Sequence, residues 1–265
     1  MNQFHLDHQA VLGLTQAGIA AVAAFIVVLL ARTKKIHLEK ETSIALVRGL
    51  VQIIAVGSIL AILLRGPRWT AGMMLSAMIV AAGNISARRA KKMPGAFVVS
   101  TWAIACGAGS VIAVMTALRV IDTSITSLIP VGSMLIANAM NTNGLAMNRF
   151  RSDVIAHVGQ IETALALGAE PRESVAPYIQ ASSEASLIPA IDSMRSLGIV
   201  WIPGLMAGML LSGSKPLYAS VYQFVVLAMI FASSGITSLV SMTLIRSKIF
   251  SSAEQLMLRP TAERG

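Results

Sequence analysis

ASVYQFVVLAMIFASSGITSLVSMTLI, residues 219–245, carries no charged side chain from end to end. A hydrocarbon core about 30 Å thick is crossed by roughly 20 consecutive apolar residues in a helix. In lipid every backbone N–H and C=O must pair within the protein, so a lone segment of this kind is read as a spanning helix. Six more stretches read the same way: 10–31, 44–64, 69–87, 96–118, 125–147 and 186–211. The composition agrees. Of the 265 residues, 55% are hydrophobic and 12% charged, and mean hydropathy is +0.72. Soluble domains carry about 25% charged residues. The sequence therefore predicts an all-α, polytopic integral membrane protein of about seven spans in a single domain, 1–265. Disordered, collagen-like and disulfide-stapled classes are excluded. No basic residue precedes the first span, and it is too long for the apolar region of a signal peptide, so it reads as a retained helix.

The net charge of +9 first raises nucleic acid as a partner. The distribution of the charge argues otherwise. Among the 21 Lys and Arg, Arg65, Arg68, Arg119 and Lys215 lie on one set of alternate connections, and Arg48 and Arg195 lie within spans. The other 15 fall on the opposite side. Basic residues accumulate on the cytoplasmic side of membrane proteins. The N-terminus is thus expected outside and the C-terminus in the cytoplasm, which an odd number of spans requires. Aromatic residues make up only 5% of the chain, whereas a nucleic-acid face interleaves aromatics with clustered basic side chains. The expected surroundings are a lipid bilayer, with no nucleic acid.

One connection is long, about 149–185. Val154, Val158, Ile161 and Leu165 recur at helical spacing and give one apolar face. Gly168 suits a helix stop, and Pro171 suits a first helical position, with Arg172 and Glu173 after it. Pro177 opens a further helix through Tyr178. The pattern is helix, turn, short helix, turn, helix on the cytoplasmic face. An amphipathic helix there either rests on lipid or docks a protein. Basic residues are sparse on it, which favours a protein.

Polar groups inside the spans are the candidate route. Arg48 and Gln52 share one face of the second span. They either line a path or, being near its end, snorkel to the interface. Asn138, Asn141 and Asn148 form a stripe on the fifth span, flanked by Asn143 and Met147. Asp192 and Arg195 stand at i and i+3 in the sixth, with Met194 between them; they either pair with each other or line the route. Gln223 is a further candidate in the seventh span. Gly204 and Gly208 form a G-x-x-x-G packing face on which two copies, or two helices of one copy, can meet. Four His residues lie in tails or loops (His5, His8, His37 and His157), and Cys106 stands alone, so no tetrahedral N/S metal site is legible. Cys106 itself reads as a small buried hydrophobe.

ETALALG (162–168) resembles the start of the E-A-A-x-x-x-G motif of ABC importer permeases, with Thr163 in place of an Ala. IANAMNTNGLAMNR (136–149), ALALGAEPRE (164–173), LIPAIDSMRSLGI (187–199) and PGLMAG (203–208) with Tyr222 and Gln223 resemble the FetB-type permease family over nearly the whole chain. Bacterial members of that family are regarded as iron-export permeases. Plant members resemble aluminium-tolerance permeases, for which a nucleotide-sugar cargo is also proposed. The resemblance implies a bacterial inner-membrane permease working with a separate ABC ATP-binding subunit, which carries ATP and Mg. It implies that Glu162, Gly168, Pro171, Arg172, Glu173 and Tyr178 serve ATPase coupling, and that two permease copies pair as a homodimer. The chain itself carries no phosphate-binding G-x-x-x-x-G-K-[ST] loop and no cofactor motif. A stand-alone ion-coupled transporter is the alternative. An intramembrane enzyme lacks a nucleophile–base pair at credible spacing.

Overall fold

In the computed structural model of the protein, residues 8–33, 39–63, 66–67, 69–90, 93–251 and 253–258 are described. They separate into two compact units, divided between Gly66 and Pro67. Among the described residues there is no β-strand, only two isolated bridges.

The first unit is two long helices, α1 (His8–Thr33) and α2 (Glu39–Leu63). Their apolar side chains mostly stand exposed, Ile19, Val22, Val47 and Ile53 among them. Such a surface is costly in water and costs nothing in lipid, whose tails are as apolar as Leu.

The second unit holds α3 (Trp69–Arg89), α4 (Ala96–Ile104), a π-helical turn (Ala105–Gly109), α5 (Ser110–Ala117), α6 (Ile125–Ala156), α7 (Val158–Ala166), α8 (Pro171–Ser174), α9 (Ala176–Ser196), α10 (Gly204–Leu211) and α11 (Pro216–Arg246). The two longest helices, α6 and α11, pack along each other, and α3, α4 and α9 surround them. One core cluster, with Leu135, Ile136, Val226 and Met229, fills one end of this bundle. A second, with Phe150, Val154, Ile161, Ile245 and Leu256, fills the other.

Five helical stretches among the described residues are long and apolar enough to cross a membrane: Val11–Leu30, Thr42–Ile59, Trp69–Arg89, Ala96–Ala117 and Pro216–Arg246. The protein is a multi-pass membrane protein. α6 matches the predicted fifth span in place and runs past it, for 32 residues. Its Asn, Ser and Thr residues lower its hydropathy.

The sixth predicted span, 186–211, is not one helix. α9 ends at Ser196, and α10 begins only at Gly204. Gly198 sits at φ +74, a left-handed conformation that stops a helix cheaply only at glycine. The N–H groups of Ile199, Val200 and Trp201 all turn back to the Ser196 carbonyl. Pro203, extended at ψ 143, then starts α10. The fourth span is irregular too. The π-helical turn falls where α11 passes closest: a Cβ on Gly107 would lie 2.6 Å from the Ser233 carbonyl.

The described residues beyond α11 fold back on the bundle. Phe250 and Leu256 form an antiparallel bridge, the Met257 N–H donates to the Ile249 carbonyl at 2.8 Å, and Ile249, Leu256 and Leu258 are buried.

Candidate functional site

The long connection, 149–185, is built as its pattern predicts, with one difference. His157 leaves helical geometry at φ −118, so Val154 stays on α6 while Val158, Ile161 and Leu165 ride on α7. All four still pack into one cluster. Gly168, at φ +90, ends the following turn. Pro171 opens α8 and Pro177 lies in the first turn of α9. Tyr178 reaches back: its ring stacks on His157 at 5.0 Å, and its hydroxyl donates to Gln160 Oε1 at 3.3 Å. Glu162, Arg172 and Glu173 are exposed. A groove of about 900 Å³ separates this segment from the C-terminal fold-back. Glu162, Leu165, Gly168, Pro171 and Arg172 line one side; Arg246, Phe250, Glu254 and Leu256 line the other. It is a recess of mixed charge with an apolar floor.

Within the bundle the polar residues separate into two kinds. Asn143 is fully buried. Its amide donates to Ser86 Oγ at 2.7 Å and to Ser100 Oγ at 2.8 Å, and Ser100 Oγ donates to Met147 Sδ at 3.3 Å. This knot ties α3, α4 and α6 together. The predicted stripe lies to one side of it. Asn138 is half-buried and donates to the Met134 carbonyl of its own helix at 2.9 Å. Asn141 is exposed and accepts from Arg89 Nη1 at 3.3 Å. Asn148 is exposed. The structure therefore does not gather Asn138, Asn141 and Asn148 into a buried group; the buried amide is the flanking Asn143. Its signal was the run of small neighbours, Ala139, Gly144 and Ala146, which lets other helices approach.

α11 carries a seam that the sequence reading represented only by Gln223. Ser233, Ser234, Thr237, Ser238 and Ser241 are all buried, as is Gln223. Ser238 shares a hydrogen bond with Ser186 of α9, Oγ to Oγ 2.9 Å. Neither end of the Gln223 amide meets a partner among the described residues. A spacing of one, four, five and eight residues was the available signal.

Asp192 and Arg195 turn the other way. Their closest approach is 3.9 Å, and their side chains are 61% and 78% exposed. Met194 packs inward against the core. Gly204 and Gly208 of α10 face open space, with no atom within 4 Å of where a Cβ would stand. A charge at membrane depth costs about 2.5–3.5 kcal/mol on insertion scales.

In the first unit, Arg48 and Gln52 lie in one shallow depression on α2 with Ser43 and Val51. Among the described residues, no three His, Cys, Asp or Glu side chains gather into a metal-binding group. His5 and His37 lie outside the described residues. Cys106 is exposed, which corrects the expectation of burial. The π-helical turn rotates it outward, beside Val98, Trp102, Val240 and Leu244.

The model of an uncharacterised protein family, UPF0014, matches residues 14–250. The chain belongs to that family. The match runs from α1 through the α7–α9 layer to the bridge at Phe250. Among UPF0014 relatives, "UPF0014 membrane protein STAR2" of Oryza sativa is 32% identical over 92% of this chain and 86% of its own length. "Probable iron export permease protein FetB" of Escherichia coli is 31% identical, over 91% and 93%. "Protein ALUMINUM SENSITIVE 3" of Arabidopsis thaliana is 29% identical, over 92% and 90%. No solved structure matches the chain. The resemblance drawn from the sequence motifs is thus to relatives that span nearly the whole UPF0014 chain, and one of them bears a permease name.

Proposed function

We propose that this UPF0014 protein is the membrane-spanning permease subunit of an ABC transporter of the bacterial inner membrane, powered by a separate ATP-binding subunit that carries ATP and Mg. It works as a homodimer and exports iron or another metal ion. The observation that carries the reading is the layer formed by α7, α8 and the start of α9. It is anchored to the inner core by Ile161 and Val175, yet it presents Glu162, Arg172 and Glu173 outward beside an open groove. Such a layer suits a docked partner that pushes on it. Tyr178 sits at the junction and passes a push on α7 into α9. In this reading α9 and α10 together make the sixth of seven crossings, the N-terminus is outside and the C-terminus is in the cytoplasm.

The iron cargo is supported by the name of the Escherichia coli relative and by mixed, weak ligands. Met thioethers, amide oxygens and Asp192 hold an ion loosely enough to release it. A nucleotide sugar is the alternative cargo. A stand-alone ion-coupled transporter is the second reading, favoured by one observation: the break at 197–203, because such transporters interrupt helices at their binding sites.

Copurification and reconstitution test the reading. The chain should retain an ATP-binding subunit, and the complex should show ATPase activity stimulated by ferrous iron more than by other metals or nucleotide sugars. Combined Arg172→Glu and Glu173→Lys should cut cargo-stimulated ATPase at least tenfold with the folded yield unchanged. Transport by this chain alone in liposomes, or full coupling in the double variant, would overturn it.

A further inference from the structure

Along α9 the exposed side chains recur as Glu184, Ile188, Asp192 and Arg195, on one face. The opposite face carries Ser182 and Ser186, both buried. The hydrogen bond from Ser186 to Ser238 fixes the level of α9 against α11. The two helices run in opposite directions, because the chain leaves α9, passes through α10 and returns as α11. Asp192 lies six residues past Ser186, about 9 Å further along the axis. That is the level of Ala232 on α11, next to the middle of this 31-residue apolar helix. Asp192 and Arg195 therefore stand level with the middle of α11, outward and exposed, with only a 3.9 Å contact between them. A short way further along the chain, the Gly204 and Gly208 face of α10 is open.

A face that holds one acid and one base, a helical turn apart, is complementary to itself. Under a two-fold axis residue i meets j and j meets i. We infer that two copies of this chain meet on the outward face of α9 and α10, with Asp192 facing Arg195 of the partner subunit and the reverse. These charges are then paired, and the wall of the route carrying Glu184 and Asp192 is complete only when the second copy is present. The inference rests on the permease reading and adds to it the place where the homodimer closes.

A charge exchange between two differently tagged chains tests it. Asp192→Arg makes the face doubly basic and Arg195→Asp makes it doubly acidic. Each variant expressed alone should lose self-association at least tenfold, read as capture of one tag by the other after detergent extraction. Coexpression of the two variants should restore capture to within about twofold of the parent chain, and a chain carrying both changes should again pair with itself. Parental self-association by either single variant would overturn the inference. So would a mixed pair that is captured no better than the single variants or that fails to accumulate, since the face would then be covered by the first two helices or by water. The ATP-binding subunit docks elsewhere and should copurify with every variant that accumulates. Its retention alongside failed pairing would sink this inference and leave the permease reading standing; its absence from the parent chain would sink the permease reading.

Discussion

α6 and α9 are neighbours in the same bundle, and both carry polar groups where lipid or core would prefer apolar ones. They dispose of them in opposite ways. α6 turns Asn143 inward and gives it Ser86 and Ser100 as partners. α9 turns Asp192 and Arg195 outward, where a single long contact joins them. The first arrangement pairs the amide N–H groups within one chain and holds helices together, although Asn143 Oδ1 meets no partner among the described residues. The second has only that exposed contact within one chain, and the proposed second copy would complete it. Polar residues of similar sequence context thus serve as adhesive in one helix and as an unfilled surface in the other.

The contrast is broken most severely at the C-terminal end of α6. Phe150 is fully buried among Met147, Val154 and Ile245. Phe150→Ala should cost about 3–5 kcal/mol, the usual penalty for emptying an aromatic site in a packed core. Thermal unfolding in detergent should show it, with the α7–α9 layer released first because Ile161 and Val175 share that cluster. A melting temperature equal to the parent's would mean that this end is not the anchor of the segment.

Much of this was legible beforehand, for definite reasons. Helices were read from long apolar runs, and the α7–α9 layer from Pro171, Pro177 and Gly168, because turns and caps are local chemistry. The break inside the sixth span was legible only in part: Pro189 and Pro203 allow one, and it falls just before Pro203, but Leu197, Ile199, Val200, Trp201 and Ile202 are apolar enough to continue a span, and hydropathy does not register the left-handed Gly198. Asn143 was ranked below Asn138 and Asn141, because an even stripe says which residues share a face and not which face is buried. The fold-back after α11 depends on Leu256 and Leu258 finding a core made by distant helices, and no local signal marks that. The seam of Ser233, Ser234, Thr237 and Ser241 was overlooked because hydroxyls at these positions barely lower the hydropathy of α11.

A milder cut tests the adhesive role directly. Asn143→Ala removes both hydrogen bonds to the Ser hydroxyls and leaves a small void. Side-chain hydrogen bonds between membrane helices average about 0.6 kcal/mol and reach about 1.7, so the expected loss is about 1–3 kcal/mol once the void is included. Unfolding by denaturing detergent should register this, while cargo-stimulated ATPase at low temperature stays within about twofold of the parent. A variant that keeps its stability and loses transport would reverse the assignment and make Asn143 part of the route.

Asp192→Asn is the gentlest change and completes the comparison. The isolated chain holds Asp192 by one exposed contact of 3.9 Å, and an exposed ion pair contributes about 0–1 kcal/mol. In the proposed seven-span arrangement, removing the charge also removes a cost, since a carboxylate at membrane depth is expensive. The two contributions oppose each other, so monomer stability should change by less than about 1 kcal/mol, well below the Asn143 effect. Cargo response should move in the opposite order. If Asp192 meets the cargo or the second copy, half-maximal stimulation should rise severalfold, whereas the larger stability loss at Asn143 should leave it nearly unchanged. The informative quantity is the ratio of the two effects at each position. At α6 stability should dominate and at α9 function should, and equal ratios would mean that both helices use their polar residues for the same purpose.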